Sequence, residues 1–486
     1  MATAIPLLLV VAQATLLSLV VIIFYRLFLA PLSHLPGPKV CAITRLPLIY
    51  YEFSGQRRLW IHNLHLRYGP IVRIAPDEVS FTSCEAKKEI YSSGGSGYDK
   101  TSYYSLFEHF DTPNIFSTLE RGRHAAVKKR FVERYNKTHV MRPEVSLVVQ
   151  EHVEAFIGIC AGEIGKSIDI YLLLHCFAID SVTGHMFYPY GLHSLTEPRD
   201  FELMKELTFP SLLKEQYLRY YLPGFGRVLA QMTGYGRLRS DGLACVRYVQ
   251  DTVRSAAVAP HTLLHKLRLY DNEDPDLRLA ASECMDHLVA GLDTTGDALC
   301  FLMYHISRPA LQSCQDRLRE ELLANLSVPL DNLPYLDALV KEGLRVYNPA
   351  PVSLPRHVPD GGRVIDGVWL PAGTIVSCQA HTLHRYDTRV FPDPDNFIPE
   401  RWLDPQGVIE RNQLFFAFGA GGRGCIGKHL ALFEMKLLLK EVYSNFRTRI
   451  APEMNASMEF DDQIATVRPK DQTCLLVFEK MEDLVW

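Results

Sequence analysis

The run Phe418-Gly419-Ala420-Gly421-Gly422-Arg423-Gly424-Cys425-Ile426-Gly427 sets one cysteine among glycines, immediately before a stretch whose apolar residues Leu430, Phe433, Leu437, Leu438 and Val442 recur at helical spacing. The Cys425 sulfur is therefore expected at a helix N-terminus, where free amides and the positive end of the helix dipole favour a thiolate. The glycines remove Cβ atoms that would hold the backbone off a flat ligand, and they permit positive φ. A thiolate presented in this way suits the iron of a haem, and Arg423, two residues earlier, suits a propionate. For an isolated cysteine the usual reading would be a buried structural residue in a glycine-rich turn; the chain's further motifs weigh against it.

A second set of polar residues interrupts the helical pattern of residues 277–307 at Ala290-Gly291-Leu292-Asp293-Thr294-Thr295. An acid beside a hydroxyl among apolar neighbours can handle protons, or can be a polar patch with a back-bonded threonine. Glu342 and Arg345, at i and i+3, share a helical face upstream of Phe397-Ile398-Pro399-Glu400-Arg401-Trp402. The basic run Arg121 to Arg130 carries His124 and Lys128 one helical turn apart, and Arg356 follows Leu354-Pro355.

The Cys425 stretch matches the Phe-x-x-Gly-x-Arg-x-Cys-x-Gly signature of the cytochrome P-450 haem-thiolate monooxygenases, which the chain therefore resembles; the other three motifs follow in the family's order. The resemblance implies haem b ligated by Cys425, with Phe418 and Arg423 in the cofactor loop. It implies Gly291 opening a widened helix for dioxygen and Asp293 and Thr294 relaying protons. His124 and Lys128 stand where the family has Trp-x-x-x-Arg or His-x-x-x-Arg and, with Arg356, would bind propionates; lysine lacks the planar guanidinium fork. Glu342, Arg345 and Arg401 match a Glu-Arg-Arg cluster that serves fold integrity rather than chemistry. Gly343, inside that helix, implies close packing.

These motifs need elements to hold them. Residues 69–82 alternate as a small hairpin, residues 120–350 read mainly as helix, and further strand patterns run from Val364 to Ser377 and near Cys474 to Phe478. The expected fold is mainly α with minor β, the helix-rich P-450 haem domain with small antiparallel sheets. Since the motifs near 124, 293, 356 and 425 must meet, residues 46–486 are expected to be one catalytic domain. Ala2 to Tyr25 is uncharged and apolar, long enough as a helix of about 36 Å to cross a bilayer. Residues 1–26 thus read as a transmembrane anchor rather than a cleaved signal, for no basic residue precedes the apolar run. Arg26, Lys39, Arg45, Arg57 and Arg58 follow it, which places the body in the cytosol, and the resemblance to microsomal members of the family implies the endoplasmic reticulum membrane. Residues 27–45, with Pro31, Pro36 and Pro38, form a rigid hinge.

The composition, 48% hydrophobic and 22% charged, is that of a globular chain, and a net charge of -4 gives no reason for a nucleic-acid partner. Eleven scattered cysteines offer neither a zinc pair nor a disulfide framework. The sequons at Asn136, Asn325 and Asn455 are expected to be unused on the cytosolic side. Thr101 to Ile115, Leu207 to Phe225 and Ala350 to Leu354 would line an apolar pocket by resemblance, although Tyr217, Tyr220, Tyr221 and Phe225 read equally as core or membrane-contacting residues.

The resemblance implies a monooxygenase that takes electrons from NADPH through a membrane-bound P-450 reductase, with cytochrome b5 as a further donor, and oxidises a hydrophobic small molecule. The hinge, the Pro-Glu-Arg-Trp run and the His-x-x-x-Lys variant look most like filamentous-fungal members of secondary metabolism. Oxidative coupling or rearrangement without oxygen insertion, and a non-enzymatic haem-binding membrane protein, are the alternative functions.

Overall fold

The 29-residue helix Arg278–Ile306 is the axis around which the fold is built. Residues 280–288 and 295–303 are buried without a break, whereas Val289, Gly291, Asp293 and Thr294 are half-buried and Ala290 is exposed. A helix shielded at both ends and open in its middle borders an interior hollow. Its principal neighbour is Ile170–Phe187, also buried along almost its whole length. Two glycines allow the approach. A Cβ at Gly291 would lie 2.8 Å from Val182 Cγ2, and one at Gly296 would lie 3.0 Å from the His175 ring.

This computed structural model describes residues 4–92, 97–209, 213–222, 224, 244–269 and 277–480. The architecture is mainly helical with small sheets. The expected hairpin is present as Ile71–Ala75 and Glu78–Phe81, antiparallel. It continues into a five-stranded sheet through a parallel pairing with Ile375–Cys378, followed by Arg356–His357 and Asp99–Lys100. Residues 363–370 form a second hairpin, with Asp366 at φ 49° and Gly367 at φ 76°, the positive pair that a tight primed turn demands. The C-terminal strand pattern becomes Leu475–Lys480, paired with Ser167–Asp169 and Phe446–Ile450.

Among the described residues three helices are long and apolar enough to cross a membrane, and burial separates them. Pro143–Gly162 and Ile170–Phe187 pack into the body, whereas the window Val10–Leu29, of mean hydropathy 2.0, has none of its residues buried. The first helix, Ala4–Phe24, passes directly into a wide helical turn, Tyr25–Leu29, so the helical run ends three residues beyond the boundary expected at 26. The proline-rich segment that follows is docked. Leu32 and Leu35 join the core beside Val79 and Phe81, and the Arg73 amide donates to the Pro36 carbonyl at 2.8 Å. The Arg73 guanidinium donates to the carbonyls of Arg26 and Leu32, each at 3.2 Å.

Tyr217 is buried in a cluster with Tyr103, Tyr104, Leu213 and Ile464, and Tyr220 and Tyr221 pack against it. The core reading therefore holds for these three, while Phe225 lies outside the described residues.

Candidate active site

The turn that presents Cys425 is closed by backbone hydrogen bonds. The Cys425 amide donates to the Phe418 carbonyl at 2.8 Å, and the Gly424 amide donates to the Gly421 carbonyl at 3.1 Å. Gly421 cannot be another residue here: its φ is +64°, and a Cβ would lie 2.0 Å from the Tyr91 carbonyl oxygen. The helix Lys428–Asn445 starts just beyond, with Gly427 as its N-cap. Amides of Gly427 and Lys428 point at the sulfur, and the Lys128 and Lys428 ammonium groups favour its anion. Burial nevertheless outweighs them and raises the thiol pKa. Protein surrounds Cys425, yet its side chain remains accessible, which places it on the wall of an interior hollow. The helix start alone does not ionise this thiol; a metal that demands a thiolate would.

Around the loop the sheet gathers cations. Lys100 and Arg356 stand directly opposite each other on paired antiparallel strands, an arrangement that is unfavourable for like charges. Both are buried, as is His124 on the helix Arg121–Phe131. His124 is pushed down to about 3, first by burial and then by Lys100, Arg423, Lys128 and Arg356. Arg423 is pushed down to about 10 by burial and Arg356. Arg423 Nη2 donates to the Tyr98 carbonyl, while its buried Nη1 has no partner among the described residues. Arg356 Nη1 donates to Tyr104 Oη at 2.5 Å. Mutually repelling cations with a guanidinium nitrogen unpartnered among the described residues suit anionic groups such as carboxylates.

Lys128 sits apart from this set. Its Nζ donates to the Gly422 carbonyl at 2.8 Å, so it braces the cysteine loop and adds positive charge near the sulfur. Lys100, which carried no motif in the sequence, takes a place among the cations instead. Its Nζ donates to the carbonyls of Phe116 at 2.7 Å and Ile115 at 3.2 Å.

On the central helix, Thr294 Oγ1 donates to the Ala290 carbonyl at 2.7 Å, so the threonine is back-bonded. Burial raises the Asp293 carboxyl to about 7, opposed by Arg468. Two features implied by the family resemblance differ here. The helix is continuous α-helix through this stretch, without a widened turn. The space left by Gly291 is filled by Val182, so this glycine serves helix packing, and the open residue is Ala290. A further buried acid went unread: Glu434, raised to about 8 by burial, accepts from Thr295 Oγ1 at 3.4 Å.

Behind the loop, Glu342 is saturated. Its Oε2 accepts from Arg345 Nε at 2.8 Å and Trp402 Nε1 at 2.9 Å. Its Oε1 accepts from Arg345 Nη2 at 2.8 Å, Arg401 Nε at 3.0 Å and the Ile398 amide at 2.9 Å. Arg345 also donates to the carbonyls of His384, Pro394 and Asn396. The three assigned residues meet, and Trp402, adjacent in the quoted run, completes them. Gly343 packs as expected, since a Cβ there would lie 3.1 Å from Leu302 Cδ1.

Comparison with known proteins gives one consistent result. The family model described as Cytochrome P450 matches residues 36–476. The chain is 30% identical to Cytochrome P450 monooxygenase orf2 of Aspergillus niger, over 95% of this chain and 96% of that protein. It is 30% identical to Cytochrome P450 monooxygenase tazI of Aspergillus terreus, with the same two coverages, 95% and 96%. It is 28% identical to Cytochrome P450 monooxygenase hkm5 of Aspergillus hancockii, over 90% of this chain and 89% of that one.

Proposed function

This chain belongs to the cytochrome P450 family and is a haem monooxygenase, and from that premise we propose that Cys425 is the proximal ligand of haem b, held by its propionates on Arg356, Arg423 and His124. The observation that carries the assignment is the meeting of the glycine-shaped Cys425 turn with the cation cluster. When bound, thiolate-ligated haem supplies dioxygen activation and oxidation of a substrate C–H bond. The chain's own residues do the rest. Phe418 and Gly421 fix the turn, Lys128 braces it, and the Gly427 and Lys428 amides stabilise the sulfur anion. Asp293, with a pKa near 7, both gives and regains a proton at neutral pH, and the Thr294 hydroxyl, now bonded to the Ala290 carbonyl, relays a proton by releasing its own as it takes one up. Glu342, Arg345 and Arg401 hold the wall behind the loop.

Residues 1–26 are the anchor, 27–45 the hinge and 46–486 the catalytic domain. The protein is a single-pass resident of the endoplasmic reticulum with a cytosolic body, a reading supported by the exposed apolar helix and the basic residues after it. Its electrons come from NADPH through a P450 reductase, with cytochrome b5 as a second donor. Its substrate is a hydrophobic small molecule, an intermediate of fungal secondary metabolism, in keeping with the fungal relatives. The test is reconstitution of the purified, haem-loaded chain with reductase. A carbonyl band near the thiolate position, with NADPH and dioxygen consumed as a candidate substrate is converted, supports the proposal. An imidazole-type spectrum, or no turnover with any intermediate that accumulates in cells lacking the protein, overturns it.

A further inference from the structure

One turn of the central helix upstream of its open stretch carries Glu283, Asp286 and His287, at i, i+3 and i+4 and hence on one face. All three are buried, and one donor atom from each lies within 4.8 Å of the others. The environment is unlike that of a structural ion pair. Neither carboxylate is bridged to a lysine or arginine among the described residues. Lys100 acts on both and Arg130 on Glu283 only through space, and the Lys100 ammonium makes its hydrogen bonds to the Ile115 and Phe116 carbonyls. Glu283 Oε2 accepts the Ile115 amide at 3.1 Å, which leaves Oε1 buried without a partner among the described residues. His287 Nδ1 is held by Tyr135 Oη at 2.5 Å, and its Nε2, buried and unpartnered, is aimed back at Glu283 Oε2, 3.8 Å away.

Two neighbouring carboxyls taken out of water either keep their protons or take up a counter-charge. In the tautomer whose Nδ1–H donates to the Tyr135 hydroxyl oxygen, Nε2 carries the lone pair, the arrangement that orients histidine toward a metal. We propose that Glu283, Asp286 and His287 form a divalent-cation site of the Zn2+ class, with a water as fourth ligand. The donor set of two carboxylate oxygens and one imidazole nitrogen suits Zn2+. Bonds of about 2.0–2.2 Å would draw the three donors somewhat closer together than they stand now. Burial raises Asp286 to about 7 and Glu283 to about 8, so protons compete with the ion for this site. Through Tyr135 and the Ile115 amide the ion would tie the central helix to the segment Asn114–Thr118 and to the end of the basic helix. Cys425 plays no part in this site, although Lys100 of the cation cluster lies close enough to act on both Asp286 and Glu283.

The experiment uses the full-length, haem-loaded protein in detergent. It is stripped with a chelator, incubated with zinc chloride and desalted, and zinc is counted per mole of polypeptide rather than per iron. One equivalent is expected for the native chain and less than about one tenth of that for the double variant Glu283→Gln, His287→Gln, with the carbonyl spectrum retained. No retained zinc in the native chain, or equal zinc in the variant, overturns the proposal. If the variant does not fold, zinc-edge X-ray absorption of the native protein decides. A nitrogen and oxygen shell with one imidazole supports the site, and a sulfur shell refutes it. A preparation that binds zinc but shows no thiolate carbonyl band would sink the haem assignment and leave this one standing.

Discussion

His384 Nε2 accepts the backbone amide of Phe416 at 2.8 Å. The same ring donates Nδ1–H to the Arg345 carbonyl at 3.1 Å and lies stacked on Phe415, at an interplanar angle of 12°. The imidazole is fully buried, and burial with Arg345 and Arg385 nearby holds its pKa well below the usual range, so it is neutral, as both bonds require. It thus joins the Glu342 helix to the strand of chain that leads into the Cys425 turn. Replacing His384 with Ala leaves two buried backbone groups unpaired, at a cost of roughly 1–3 kcal/mol each. The expected result is a lower Tm and a carbonyl spectrum that drifts from the thiolate to the inactive form during storage. An unchanged spectrum and Tm would remove His384 from this role.

Cys425→Ala is expected to abolish the thiolate carbonyl band and all turnover, while the circular dichroism spectrum stays native, because the turn is closed by backbone bonds that do not involve the sulfur. Normal catalysis by that variant would refute the ligand assignment.

Thr294→Ala removes the hydroxyl now held on the Ala290 carbonyl. Haem content should be unchanged, with reducing equivalents diverted into hydrogen peroxide. Asp293→Asn should slow coupled turnover by about 10²-fold or more. Product formed per NADPH and peroxide released are the measurements, and full coupling in either variant would count against the relay.

The raised carboxyl of Asp293 has a signature in stability as well. Its pKa goes from 3.8 to about 7 on folding, so between those values the folded chain holds more protons at this group than the unfolded chain. The group's contribution to stability is therefore greatest at low pH and is lost as pH rises toward 7, with a slope of at most about 1.4 kcal/mol per pH unit. Asp293→Asn should gain stability relative to the native protein as pH rises from about 4 to 7, measured by denaturation of both at each pH. A difference that does not vary with pH would show that the carboxyl does not titrate in this window.

Glu342→Gln should leave the Arg345 and Arg401 charges without their acid in the interior, a loss on the order of 3–5 kcal/mol. The expected phenotype is little soluble, haem-loaded protein, read from the ratio of haem absorbance to total protein.

The sequence showed most plainly what is local. The Cys425 turn, the span at the N-terminus and the Glu342–Arg345 pair each lie within a few residues, and helical or glycine patterns report them directly. What it could not show depends on long-range contacts. Lys100 becomes one of the site cations because its strand pairs with that of Arg356, more than 250 residues away in the chain. His384 matters because its ring falls between two carbonyl and amide groups from distant segments. Gly291 belonged to a recognisable run, yet the run does not say which neighbour meets its missing side chain, and that neighbour is Val182. Lys128 matched a motif by spacing, but its length lets it reach the Gly422 carbonyl.

The docking of Pro36 and Gly37 on Arg73 has a mechanical meaning. The backbone at Gly37 comes so near the Arg73 carbonyl that a Cβ would sit 2.5 Å from its oxygen, and Arg26, near the end of the apolar window Val10–Leu29, reaches the Ile43 carbonyl at 2.5 Å. The apolar rod and the sheet are thus keyed together like a tiller and rudder, so that tilting one steers the other.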